Sequence, residues 1–124
     1  MQVSTSTGSF QWLTRLATSG YDYGYGIAAN KNGVFVGGFT SGAFPGTTNQ
    51  GKLDGFAAAL DPRGKVAWLR QFGSAGNDRV FALSADDKGT TLFGDTSGSW
   101  GTFDSALGSG GSRDLFLTSF SLDG

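Results

Sequence analysis

The chain has 124 residues, nine basic and ten acidic side chains, a formal net charge of −1, and no His, Cys or Glu. This length suits a single domain, and the missing side chains exclude disulfides, thiolate chemistry and histidine-based catalysis or zinc binding. The near-neutral charge without a basic patch argues against nucleic acid and anionic membranes as partners.

Eight β-strands are predicted in chain order. They cover 10–17, 23–30, 34–40 and 55–61 in the first half, and 66–73, 79–86, 90–96 and 115–121 in the second. The segment 79–87 is compatible with a short helix. Its counterpart 23–30 has two interior glycines, each costing about 1 kcal/mol in a helix, so strands are favoured in both. Residues 30–33 and 86–89 are polar turn formers followed by Gly, which predicts tight hairpins.

Two of these strands are apolar or small on both faces. Neither 34–39 nor 56–60 alternates between apolar and polar side chains. A sheet with one face in water would carry a polar residue at every second position. The pattern therefore predicts sheets that are covered by neighbouring sheets on both sides.

The sequence repeats itself. When the chain is shifted by 56 residues, many of its Gly, Asp and Trp positions coincide, and the shift becomes 60 beyond a longer second loop. We divide the chain into an arm or partial closing strand (1–7) and two repeats (8–63 and 64–124). Four-stranded repeats that pack face to face are typical of β-propeller blades, with a β-sandwich as the alternative. The equivalent structural positions are Trp12 and Trp68, Asp22 and Asp78, Gly33 and Gly89, and Asp54 and Asp114.

Three strings carry a resemblance to a known repeat, GYDYGYGIAANKNGVFVGGFTSG, LDGFAAALDPRGKVAWLRQFG and GNDRVFALSADDKG. They resemble the bacterial SBBP β-propeller repeat, although Val34 and Thr90 stand where that repeat usually has Asn. The resemblance implies an all-β fold with two four-stranded antiparallel blades per chain and no shared catalytic residues. It also implies an extracellular or cell-surface location. Residues 1–8 show neither the basic nor the apolar region of a secretory signal.

The number of repeats predicts self-association. A propeller needs roughly four to eight blades, and a lone pair would expose an apolar face at each end. We expect head-to-tail contacts between copies to close a ring, with three chains giving six blades or four giving eight. The alternative is a piece of a longer propeller. Residues 3–7 align with the end of a fourth strand, so we expect them to add an edge strand to a neighbouring chain.

Aspartates at the starts of strands are the first candidate chemical residues. Asp22, Asp78, Asp54 and Asp114 suit metal or substrate binding, or they accept backbone hydrogen bonds that fix the strand start. Their recurrence in both repeats favours the structural role. The loops 30–33 and 86–89 lack the Glu of a calcium loop and contain Lys, and the glycines of 108–111 lack a phosphate-loop lysine. We predict no metal, no cofactor and no catalytic residue.

Amphipathic side chains near the loops are the candidate ligand site. Such rings and amides stack on sugars or anchor a protein partner, although they equally suit packing of the protein's own loops. Trp12 and Trp68, in contrast, are predicted to pack between blades. The candidate ligand-binding residues are Tyr21, Tyr23, Asn49, Gln50, Trp100 and Asp104.

The sequence predicts a non-catalytic binding and assembly scaffold. Its expected partners are further copies of itself and a protein or glycan ligand. A lectin-like propeller is the alternative, followed by a hydrolase that uses Asp residues with separated pKa values.

Overall fold

The computed structural model describes residues 2–3, 8–100 and 112–124, and all regular structure in these ranges is β-strand. The all-β prediction is confirmed. None of these residues belongs to a helix that could span a membrane. The strands are β1 (Gln2–Val3), β2 (Phe10–Trp12), β3 (Asp22–Asn30), β4 (Gly33–Thr40), β5 (Asp54–Leu60), β6 (Val66–Phe72), β7 (Asp78–Ala85), β8 (Gly89–Thr96) and β9 (Asp114–Ser121).

The strands form two main antiparallel sheets. The first sheet has the order β3-β4-β5-β6, and the second has the order β7-β8-β9. Strands β1 and β2 form a separate two-stranded pair. Among the described residues, neither main sheet closes on itself.

The predicted hairpins set the register of both sheets. Asn30 pairs with Gly33 across the two-residue turn between β3 and β4, and the side-chain oxygen of Asn30 accepts the backbone N–H of Asn32 at 2.7 Å. Gly33 has φ +142°, and a Cβ there would lie 2.0 Å from the carbonyl oxygen of Leu60. Glycine is therefore required both by the turn and by the close approach of β5.

The predicted strand 10–17 is wrong in its extent, since only Phe10–Trp12 is strand. Its counterpart β6 keeps seven residues because β5 lies beside it along its whole length. Among the described residues, strand β2 has only the two residues of β1 beside it. A strand needs a paired neighbour to satisfy its backbone groups, so strand structure stops where the neighbour stops.

The sheets are out of phase with the sequence repeat by one strand. The second repeat begins before β6, yet β6 is the last strand of the first sheet. A tight turn explains this pairing, because the backbone N–H of Asp61 donates to the carbonyl of Lys65 and brings β6 back antiparallel to β5. One Asp61 carboxylate oxygen also accepts the backbone N–H groups of Arg63 and Lys65.

The core lies between the two sheets. Strand β7 packs across β3 and β4, and all seven residues of β5 are buried. Strand β5 is thus buried on both faces, whereas Val34 and Val36 of β4 are half-buried. Cover of both faces by neighbouring sheets stays a prediction. The central cluster comprises Phe35, Ala57, Ala59, Trp68, Val80 and Leu92.

The two equivalent tryptophans pack over equivalent turns. Trp68 donates from its indole nitrogen to the carbonyl of Leu122 at 2.8 Å, and Trp12 donates to the carbonyl of Pro62 at 3.2 Å. A Cβ on Gly124 would meet the Trp68 ring, and a Cβ on Gly64 would meet the Trp12 ring. Strand β2 therefore has the same relation to the first sheet that β6 has to the second.

Candidate functional site

Asp22 stabilises the start of β3. Its carboxylate accepts hydrogen bonds from the Thr18 backbone N–H at 2.8 Å, the Thr18 hydroxyl at 2.8 Å and the Thr40 hydroxyl at 2.7 Å. Burial raises the pKa of Asp22, but the hydrogen bonds from Thr18 and Thr40 outweigh it and hold the pKa below 3.8. Asp22 therefore favours its charged form while it joins three segments of the chain.

Asp78 and Asp54 are fully buried and have the same kind of partners. Asp78 accepts the Ser74 backbone N–H at 2.6 Å. Asp54 accepts the Gln50 backbone N–H at 2.7 Å and the Gln71 side-chain amide at 2.9 Å. These contacts tie the preceding loops to the strand starts.

The space between these two carboxylates requires a glycine. A Cβ on Gly73 would lie 2.5 Å from Oδ1 of Asp54 and 2.9 Å from Oδ2 of Asp78. Asp54 Oδ1 is buried and has no hydrogen-bond partner among the described residues. Asp114, the fourth aspartate of the set, is half-buried and pairs with Thr96 in the β8–β9 ladder. Across the described ranges there is no group of three or more Asp side chains that could hold a metal ion.

Two of the candidate loop residues, Tyr21 and Asn49, contact Ser41, and the third, Gln50, contacts Asp54. The Tyr21 side chain is 73% exposed, and its backbone N–H donates to the Ser41 hydroxyl at 2.8 Å. The Asn49 side-chain amide donates to the carbonyl of Ser41 at 3.0 Å and accepts the Gly51 backbone N–H at 2.9 Å. Asn49 thus stabilises its own loop, and Gln50 provides the backbone donor to Asp54 described above.

Trp100 follows β8 and contacts one ring from each main sheet. Its ring packs on Phe72 and Phe116 at centroid distances of 5.9 and 5.4 Å, and its indole nitrogen donates to the Thr96 hydroxyl at 3.0 Å. Trp100 therefore has packing contacts of its own. Asp104 lies outside the described residues.

A cluster of aromatic rings surrounds Tyr23, and the sequence prediction missed most of it. Tyr23 lies 5.0 Å from Phe39, and Tyr25 stacks on Phe39 at 5.2 Å and meets Phe81 edge-on at 5.5 Å. The guanidinium of Arg79 lies 5.5 Å from the centre of the Phe81 ring. The hairpin register, which places Tyr23 opposite Phe39, was the sequence signal that could have identified this cluster.

The outer surface of the first sheet has an apolar cavity, and we call this surface the leading face. Ile27, Val34, Val36 and Leu60 line a cavity of about 180 Å³ together with Trp12, Thr14 and Leu16. Ile27 is 71% exposed. Nearby Gly24 is also exposed, and a Cβ added to it would meet nothing within 4 Å. The leading face thus combines an apolar cavity with open space.

The outer surface of the second sheet is apolar as well, and we call it the trailing face. Leu115, Leu117 and Phe93 are 71%, 72% and 39% exposed. Phe93 pairs with Leu117 across the β8–β9 ladder, and Leu115 is two residues from Leu117, so all three side chains lie on one face.

The contact between the two sheets of this chain shows how such faces pack. Gly37 and Gly55 are the first-sheet equivalents of Phe93 and Leu115, and both lie beneath β7. A Cβ on Gly37 would be 2.9 Å from the Leu83 side chain and 3.2 Å from that of Val80. The corresponding residues of the trailing face are large and exposed.

No protein-family model matches this chain, and no curated protein matches it.

Proposed function

We propose that this protein is a non-catalytic assembly module whose two sheets are β-propeller blades, and whose copies associate head to tail. One observation carries the proposal. The trailing-face residues Leu115 and Leu117 are exposed, whereas their equivalents Gly55 and Ala57 are buried under the next sheet of the same chain. Exposed apolar patches of this kind mark protein interfaces in soluble proteins.

The leading face of a second copy complements the trailing face in size. Within the chain, small Gly37 and Gly55 lie against the larger Val80. Between copies, large Phe93 and Leu115 meet Gly24, the equivalent of Val80, which leaves open space. Within the chain, the large residue is on β7 and the small residues face it. Between copies, the large residues are on the trailing face and the small residue is Gly24.

The cavity of the leading face also suits the trailing-face residue Leu117. A cavity of about 150 Å³ holds a molecule of benzene, and the leading-face cavity measures about 180 Å³. Leu117 occupies the position of Ala57, which packs in the central core cluster with Val80 and Leu92. In the assembly, Leu117 enters the cavity of the next copy.

The assembly closes as a ring of three or four chains. Each chain supplies two sheets, and propellers have roughly four to eight. Repetition of one head-to-tail contact gives a ring if the rotation closes. The resemblance to SBBP repeats supports this architecture and an extracellular or cell-surface location.

Light scattering coupled to size-exclusion chromatography tests the proposal. We expect a molar mass of three or four times 12.8 kDa. The Leu117→Lys variant should be monomeric but still folded, because this side chain is 72% exposed in the single chain. Tyr21→Lys is the matched control, since Tyr21 is equally exposed and lies outside both faces; it should leave the assembly intact.

A monomeric wild-type chain at micromolar concentration would overturn the proposal. Retention of the full assembly in Leu117→Lys would overturn the role of the trailing face. Loss of the assembly in both variants would mean that the added charge, rather than the face, causes dissociation.

A glycan is the second candidate ligand, and the aromatic cluster at Tyr23 favours it. Tyr23 and Tyr25 are both about half exposed and lie beside Phe39 and Phe81. Exposed rings with polar tips stack on sugar faces and donate hydrogen bonds. Binding on a glycan array that disappears in Tyr25→Ala supports this ligand, and a blank array together with retained assembly leaves the scaffold role alone.

A further inference from the structure

The segment that begins with β2 has the sequence of a sheet's fourth strand, but among the described residues it pairs with no three-stranded sheet. It is equivalent to β6, which pairs with β5 over seven residues. Leu13 is 68% exposed, and residues 13–16 lie outside any strand ladder. The only strand beside β2 among the described residues is β1.

Strand β1 occupies the position at β2 that β5 occupies at β6. Gln2 pairs with Trp12 and Val3 with Phe10, with a bulge between Gln2 and Val3. Ala59 and Leu60 pair in the same way with Trp68 and Val66, with a bulge at the same place. The described part of the arm therefore covers one edge of β2 over two rungs.

The complementary gap lies at β9. This strand pairs with β8 on one side, and the part of the chain that the structure describes places no strand on its other side. The equivalent edge of β5 carries β6. An open strand edge presents unsatisfied backbone donors and acceptors and readily accepts an added strand.

We infer that the second sheet is completed by a strand from another copy, namely residues 10–16, and that β1 competes for this strand. The inference rests on the proposed head-to-tail association and specifies how it is closed. The β5–β6 register, transferred by the repeat, pairs Thr118 with Leu13, Leu117 with Thr14 and Phe116 with Arg15 of the next copy.

The same register explains why β1 weakens this strand exchange between copies without preventing it. The register pairs Ser119 with Trp12 and Phe120 with Phe10 of the next copy. Strand β1 already pairs with the same two residues, Trp12 and Phe10, within its own chain. Residues 13–16 remain open to the incoming β9. The exchange therefore begins at 13–16 and then displaces Gln2 and Val3.

Disulfide trapping between two single-cysteine chains tests the register, because the native chain has no Cys. We mix a Leu13→Cys chain with a mass-tagged Thr118→Cys chain under mild oxidation. Residues directly opposite in an antiparallel pair have Cα atoms about 4.5–5.5 Å apart, within the range of a disulfide. The heterodimer is expected only in this mixture.

Two controls accompany the trapping experiment. Arg15→Cys mixed with Thr118→Cys is two residues out of register, and such diagonal pairs lie about 7–8 Å apart, so little heterodimer is expected. Within one chain, Ala58→Cys and Leu69→Cys are opposite in the β5–β6 ladder. This intrachain pair should form its disulfide readily, and its yield is the reference value for two cysteines that lie opposite each other in the predicted register.

The outcomes separate this inference from the proposed function. An assembly that forms by light scattering but gives no Leu13–Thr118 heterodimer would overturn strand exchange and leave head-to-tail packing of the faces intact. Equal yields from the in-register and out-of-register mixtures would also overturn it. Absence of any assembly would overturn both.

Removal of the arm tests the competition. Deletion of residues 1–7 should raise the association constant by about three- to tenfold, because the two weak rungs of the described part of the arm no longer compete for β2. Val3→Pro removes a rung donor without shortening the chain and should act in the same direction. Weaker association of both variants would instead support the alternative that residues 3–7 clamp the neighbouring chain, and would overturn the competition.

Discussion

The two sheets have the same backbone arrangement but different side chains on equivalent surfaces. Strands β3–β5 pair in the same order as β7–β9, and a bulge lies at the equivalent place in β3 and β7. Yet Gly37 and Gly55 in the first sheet correspond to Phe93 and Leu115 in the second. The backbone follows from turns and glycines within each repeat, whereas surface side chains follow from what lies opposite them.

One cross-strand pair makes the same point. In the first sheet Tyr23 lies opposite Phe39, with ring centroids 5.0 Å apart. In the second sheet the equivalent residues are Arg79 and Asp95, which form two hydrogen bonds of 2.9 Å. An aromatic pair and an ion pair thus stabilise equivalent rungs of the two sheets.

The largest effect on the free energy of unfolding is expected where equivalent residues of the two sheets differ in burial. Leu92 is fully buried in the core cluster, whereas its equivalent Val36 is half-buried at the leading-face cavity. Leu92→Ala should lower the free energy of unfolding by roughly 2–5 kcal/mol. Val36→Ala should lower it by about 1 kcal/mol, because less apolar surface is removed from a covered site.

Urea unfolding of dilute protein measures both values. The comparison requires the same dependence of free energy on urea for each variant, so that midpoints report stability. Equal losses in the two variants would show that the first sheet's leading face is covered in the single chain, and the asymmetry between the sheets would be wrong.

Much of the fold could be predicted because local signals specify it. Turns that end in Gly33 and Gly89 give the hairpins, and seven of the eight predicted strands agree with the structure, with β2 the one large error in extent. The error at β2 is physical: strand structure there depends on a partner that the local sequence does not specify. The assignment of β6 to the first sheet depends on how the Asp61 turn folds back.

The candidate ligand site was less predictable because its contacts are long-range. Trp100 packs on Phe72 and Phe116, and these contacts come from sheet pairing rather than from neighbours in sequence. Asn49 reaches the carbonyl of Ser41 across its own loop. A composition of rings and amides near loops does not distinguish such packing from a binding surface.

A smaller effect on the free energy of unfolding is expected at the Arg79–Asp95 pair of the second sheet. Asp95→Ala leaves the guanidinium of Arg79 without its carboxylate partner, at a site where Arg79 is 20% exposed. It should cost about 1–3 kcal/mol in low salt. The nearby Arg113, 3.3 Å from the same carboxylate, also loses its contact.

The salt dependence distinguishes the two pairs. Added salt weakens ion pairs that are partly open to solvent, so the cost of Asp95→Ala should fall in high salt. Tyr23→Ala is the matched change in the first sheet; it should cost about 0.5–1.5 kcal/mol in low and high salt alike. Equal salt dependence of the two variants would contradict the assignment of an ion pair to one sheet and an aromatic pair to the other.

The smallest effect is expected from the charge of Asp22 at the start of β3. Because the pKa of Asp22 lies below 3.8 in the folded chain, its charged form stabilises the fold above that pH. This contribution is lost as the pH falls through the folded pKa. The difference in stability between the wild type and Asp22→Asn should therefore be constant near neutral pH and shrink below pH 3.8.

A second variant tests the cause of the lowered pKa. Thr40→Val removes one hydroxyl donor to Asp22, so a carboxyl NMR titration should show the pKa of Asp22 raised in this variant. An unchanged pKa would mean that the Thr18 donors alone stabilise the charged form.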